Sequence, residues 1–251
     1  SCGLALTLLV LFPVVAIVME ESLLAVDTVF RSPDFLWALG TTMWTSTVST
    51  VFLMTFTVPL AYAVSRLRFR GRAVLLSLID LPIVIPHSAA GIALLTVIGR
   101  RSTLGALLDD LGIGLVGEIG GIALAMAFVS LPFLVNTARE GFDGVPRRHE
   151  NVARTLGASP ARVFFTVSLP MSWRTIVSGL VLMWGRGISE FGAVIIIAYH
   201  PMVTPVLVYQ RFNDYGLGSA QAVAVLLVAV CVAIFAVLRW LARPREDPHR
   251  A

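Results

Sequence analysis

Residues 139–170 read REGFDGVPRRHENVARTLGASPARVFFTVSLP. The stretch carries five arginines and three acids between two long apolar segments, yet its interior is patterned. Pro146 suits the start of a helix, because its missing N–H falls where no intrahelical bond would form. Residues 148–156 hold few breakers, and Gly157 tolerates the left-handed backbone of a helix C-terminal cap. Ser159 then offers an oxygen to cap a second helix, with Pro160 at its first position. The spacing predicts helix, tight corner, helix. Val152, Leu156, Val163 and Phe164 supply apolar contacts, and Arg147, Arg148, Arg154 and Arg162 the rim. A solvated linker has no use for such order. The stretch therefore reads as a docking surface for a partner that works from outside a membrane. The plainer alternative is an amphipathic helix lying on anionic lipid.

The membrane follows from what surrounds the stretch. The 251 residues are 57% hydrophobic and only 14% charged, against roughly 25% charged in soluble domains. All 19 basic residues are arginine. Without lysine there is no Walker-type phosphate loop and no Schiff base. The sequence contains no HExxH or GxSxG motif, and four histidines and two cysteines show no metal spacing. No catalytic residue, metal site, cofactor or nucleic-acid partner is expected. Cys2 and Cys231 lie in apolar segments, where neither a disulfide nor an activated thiol is expected.

A spanning helix needs about 20 apolar residues. Working along the chain, spans are expected at 1–19, 36–65, 73–99, 119–138, 175–199 and 215–238. The first is read as an anchor rather than a cleaved signal, since no small-residue cleavage site follows it. The second, at 1.5 Å per residue, is about 45 Å long and must tilt or project from the bilayer. The third is interrupted by Pro82 and Pro86. Between spans lie an acidic connection at 20–34, a basic loop with Arg66, Arg68, Arg70 and Arg72, and connections at 100–118 and 200–214. If the loops at 66–72 and 139–174 and the tail share one side, that side holds 14 arginines against four on the other. The arginine-rich side is then cytoplasmic, and both termini lie there.

Ionisable groups at membrane depth need a reason, since each costs about 2.5–3.5 kcal/mol on insertion scales. Arg186 and Glu190, four apart on the fifth span, are candidates for a gate or a permanent brace beside Gly185, Gly187 and Gly192. Asp80 and His87 are expected roughly on one face of the third span, two turns apart, with Asp80 capping or pairing. His87 is either a packing residue or a substrate contact. Thr42, Thr45, Ser46 and Ser49 form a hydroxyl face on the second span. They suit transient anion contacts or helix packing.

At its charged stretch the chain resembles the permease subunits of binding-protein-dependent ABC importers. Their loop reads Glu-Ala-Ala, three residues, Gly, nine residues, Ile-x-Leu-Pro. Here Asn151, Val152 and Ala153 take the first triplet, Gly157 falls at the required spacing, and Val167-Ser168-Leu169-Pro170 closes the motif. Asn151 replaces the motif's glutamate, and Glu150 stands one place early. DLPIVIPHSAAGIALL (80–95) and RGISEFGAVIIIAY (186–199) are similar to the molybdate/tungstate branch, with the sulfate branch next. The resemblance covers 36–241. It implies an all-α, six-span permease in the cell membrane, acting as a homodimer with alternating access. Two ATPase subunits, which bind ATP and Mg, would sit on its cytoplasmic loops, and an external binding protein would deliver the oxyanion. The coupling loop would comprise Glu150, Asn151, Val152, Ala153, Arg154, Leu156, Gly157, Ser159, Pro160, Leu169 and Pro170. Residues 1–35 would be an anchor and external loop, 36–241 the transport domain and 242–251 a cytoplasmic tail. The rival from another class is an ion-coupled carrier with Asp80, His87 and Glu190 as a proton relay.

Overall fold

The computed structural model describes residues 2–20 and 23–241, and every regular element among them is a helix. The tail 242–251 lies outside the described residues. The first apolar segment forms α1 (Cys2–Glu20). The acidic connection, expected to be loop, holds the short helix α2 (Leu23–Phe30).

The second expected span is α3 (Pro33–Arg66). Ser32 Oγ accepts from the Phe35 N–H at 3.4 Å, Pro33 opens the first turn and Asp34 meets the helix dipole. Its 34 residues extend about 51 Å.

The third expected span is not one rod. It is α4 (Arg72–Val84) and α5 (His87–Ile98), bent by 116°. Pro86 pushes Ile85 into an extended conformation, φ −72° and ψ 143°, which ends α4 and turns the chain. At about 20 Å and 18 Å, neither half crosses a hydrocarbon core alone. The bend also removes the common face expected for Asp80 and His87.

After α6 (Thr103–Asp110) comes α7 (Ile119–Asp143), the fourth span. It runs five residues beyond the expected end at 138, so REGFD belongs to the span. The charged stretch proper then supplies α8 (Arg147–Thr155), α9 (Pro160–Val163) and a π-helical turn, Phe164–Ser168. These continue into α10 (Leu169–Ile188), so Pro160–Ile188 is helical over 29 residues. The fifth span thus starts earlier than expected. It also stops earlier, at Ile188, before the short α11 (Gly192–Ile197). The connection at 200–214 is largely helix, α12 (Thr204–Tyr215), and α13 (Leu217–Leu241) is the last apolar helix.

Among the described residues, four helical runs are long and apolar enough to cross a membrane, and up to six if each bent pair counts as one span. Buried side chains knit them in three places. Val58, Leu134, Phe142, Ile176 and Met183 join α3, α7 and α10. Ala90, Ile122, Met126, Val194 and Val206 join α5, α7, α11 and α12. Phe35, Leu207 and Val223 tie α3 to α12 and α13. The central helix is α7, the most buried of the four long runs.

Candidate functional site

The charged corner is built by local stereochemistry. Gly157 adopts φ +86°, and its neighbours close the helix end: Ala158 N–H donates to Ala153 O at 3.0 Å and Gly157 N–H to Arg154 O at 2.9 Å. That pair of bonds satisfies carbonyls a helix end would otherwise leave open. Ser159 Oγ accepts from the Arg162 N–H at 3.3 Å and starts α9, with Pro160 following.

The corner separates outward from inward side chains. Leu156 is 83% exposed and Val152 59%. With Val167 and Met171 they line an apolar groove of about 560 Å³. Arg148 lines the same groove, and Asn151, Arg154 and Arg162 are exposed. Val163 and Phe164, expected as contacts, turn the other way. Val163 is fully buried, and the Phe164 ring packs at a tilt with its centroid 4.9 Å from that of Tyr62 and 6.0 Å from that of Phe142. They fasten the corner to the spans. Arg147 is exposed and reaches toward α3: its Nη2 lies 3.5 Å from Ser65 O and 3.2 Å from Arg66 O, favourable for the carbonyl end of α3. Leu169 and Pro170 fall in the first turn of α10 rather than in the loop.

Glu150 is buried. Its Oε1 accepts from Arg66 Nε at 2.8 Å and from Ser168 Oγ at 2.7 Å. Arg66 was legible only as one member of a basic loop. The available signal was Glu150 itself, a lone acid among the arginines of α8 that requires a partner once it is buried.

A second cluster gathers at the break after α10. Glu190 is 1% exposed and lies past the end of α10, in the turn before α11. Its Oε2 accepts from Arg186 Nη2 at 2.8 Å, and its Oε1 accepts from the Ala193 N–H at 2.8 Å. Arg186 Nη2 also meets His87 Nε2 at 2.8 Å, and Nη1 donates to Ser189 Oγ at 3.2 Å. His87 Nδ1 also lies 3.6 Å from Glu190 Oε2. The cluster therefore ties the start of α5 to the end of α10 and the start of α11. Backbones approach closely here: a Cβ on Gly192 would lie 2.8 Å from His87 Cβ. Gly187 is similarly pressed against Ser46 Oγ, whereas Gly185, expected at a contact, faces open space.

Asp80 is elsewhere, accepting from Asn136 Nδ2 at 2.6 Å on α7. The hydroxyl face of α3 is buried in helix seams. Thr42 Oγ1 accepts from the Thr204 N–H at 2.8 Å, Thr45 Oγ1 lies 3.3 Å from Met126 Sδ, Ser46 Oγ donates to Trp184 O at 2.8 Å, and Ser49 Oγ donates to Ala123 O at 2.8 Å. No group of His, Cys, Asp and Glu among the described residues could hold a metal.

Residues 54–245 match the family of binding-protein-dependent transport system inner membrane components, and the chain belongs to that family. It is similar to the molybdate/tungstate transport system permease protein WtpB of Pyrococcus abyssi, 41% identical over 244 residues, covering 96% of this chain and 93% of that protein. It is 28% identical to a probable sulfate transport system permease protein, cysT, of Nephroselmis olivacea, over 88% of this chain and 80% of that one. Its fold matches a chain in the crystal structure of a bacterial ABC transporter involved in import of the acidic polysaccharide alginate. The TM-score is 0.76 at 17% identity, over 98% of this chain and 93% of that chain.

Proposed function

We propose that the chain is the permease of an ATP-driven importer of molybdate or tungstate, working as a homodimer. Counting each bent pair as one span gives six, and the arginine asymmetry then supports a cytoplasmic side for the arginine-rich loops, the corner and both termini. Residues 36–241 form the transport domain, residues 1–35 the anchor and external loop, and 242–251 the cytoplasmic tail. Two ATPase subunits dock on the corner, and an external binding protein supplies the oxyanion.

The observation that carries this reading is Leu156, left 83% exposed on a corner whose backbone is rigidly specified. An apolar side chain held there is suited to a protein groove, and the corner falls within the family match. The oxyanion is carried over from the relatives named molybdate/tungstate permeases. Within the membrane, Arg186, Glu190 and His87 brace two helix breaks, while Thr42, Thr45 and Ser46 hold helix seams. The proton-relay alternative is disfavoured, because Asp80 is occupied by Asn136 and Glu190 by Arg186.

The test is uptake into proteoliposomes holding the chain, its ATPase subunits and its binding protein. Molybdate or tungstate should accumulate only with ATP on the ATPase side, and a tenfold excess of sulfate should compete weakly. Uptake driven by a proton gradient without ATP would overturn the proposal.

A further inference from the structure

Glu150 stands on the docking helix but faces away from the docking surface. Its side chain is 3% exposed, and that of its partner Arg66 10%. Around the pair, four segments converge. Arg66, the last residue of α3, donates from Nη2 to Val145 O at 3.1 Å, in the link between α7 and α8. Its Nη1 reaches Ser65 Oγ at 3.1 Å, and that hydroxyl donates to Asp143 at the end of α7. Ser168, which shares Glu150 Oε1, belongs to the π-helical turn leading into α10. Arg154 Nη2 approaches the other carboxylate oxygen at 4.0 Å.

A buried pair of this kind resists opening, because parting it strands a charge in a poorly solvated place. Helix α3 is also the right lever. From Arg66 it extends about 36 Å to Thr42, which holds the start of α12 through the Thr204 N–H. One helix is therefore gripped at one end by the docking helix and at the other by a segment distant in sequence.

We infer that the Arg66–Glu150 pair is the joint that passes displacement of the docking helix into α3. Both are positioning residues, acting through α8 and α3 rather than touching the ATPase. This rests on the docking reading of the corner, which exposed Leu156 and Val152 support independently of the pair.

The test measures molybdate uptake and ATP hydrolysis together in proteoliposomes of the full importer carrying E150Q, R66A, R66K or the double variant E150Q/R66A. ATPase subunits should still co-purify with E150Q, whose altered group is buried, and hydrolysis should continue. Molybdate moved per ATP should fall about tenfold, within the usual range of coupling between sites. The double variant should be no worse than R66A, and R66K should recover part of the loss. Unchanged uptake per ATP in E150Q and R66A would overturn the inference. So would release of ATPase subunits by E150Q, which would make Glu150 a shaper of the dock. A wild-type chain that binds no ATPase subunit would instead sink the docking reading, and the inference with it.

Discussion

Arg186 and His87, 99 residues apart in the chain, meet at 2.8 Å between Nη2 and Nε2, and Glu190 Oε2 lies 2.8 Å from the same Nη2. The contact joins two interrupted spans, one bent after Val84 and the other stopped after Ile188. Each break frees backbone groups that lipid cannot satisfy. Glu190 answers part of that need by accepting from the Ala193 N–H.

Glu190→Ala should therefore destabilise the chain strongly. It strands the guanidinium and uncaps α11, a loss of about 3–5 kcal/mol for a broken buried pair. Glu190→Gln keeps an oxygen for Ala193 and should cost less. Thermal unfolding in detergent should rank wild type above Glu190→Gln and Glu190→Ala lowest. Equal midpoints for all three would remove the brace.

Gly157 has φ +86°, and an added Cβ there meets nothing within 4 Å. Gly157→Val is thus strained by backbone conformation alone, at roughly 1–2 kcal/mol. The chain should still insert, while co-purification of ATPase subunits drops and uptake is lost. Gly157→Asn should stay near wild type, because asparagine tolerates the left-handed region. Equal behaviour of the two variants would show that the corner's geometry is not what matters.

Leu156→Ser tests the surface without disturbing the fold. The side chain is 83% exposed, so unfolding of the isolated permease should shift little. ATPase association, followed by pull-down, should weaken markedly. A fall in permease stability with association intact would reverse the assignment.

Thr42→Val separates packing from passage. It leaves the buried Thr204 N–H without its acceptor, at about 1–3 kcal/mol. Stability should drop while the concentration dependence of uptake holds. A raised half-saturating concentration with normal stability would point to an anion contact instead.

The corner was legible in the sequence because its determinants are local. Gly157, Ser159 and Pro160 each fix a dihedral or a cap within one turn of themselves, and the helix boundaries fell within a residue or two of their expected places. The long apolar runs were equally legible, since membrane-length hydrophobicity is a property of composition. The ends of the third and fifth spans were not. Pro82 and Pro86 announced an interruption, but neither its 116° angle nor the packing of α5 against α11. No proline marks Glu190, and its hydropathic surroundings suggested a helix running through it.

By itself, then, the sequence determined a helical membrane protein, its arginine-rich loops and a tight helical corner at Gly157. Tertiary structure alone decided which polar groups meet: Arg66 with Glu150 across 84 residues, His87 with Arg186 across 99, Thr42 with Thr204 across 162. Backbone stereochemistry and hydropathy act over a few residues and can be read along a chain. The partner of a buried charge or hydroxyl is set by helix bends and packing, which bring together side chains that no local pattern connects.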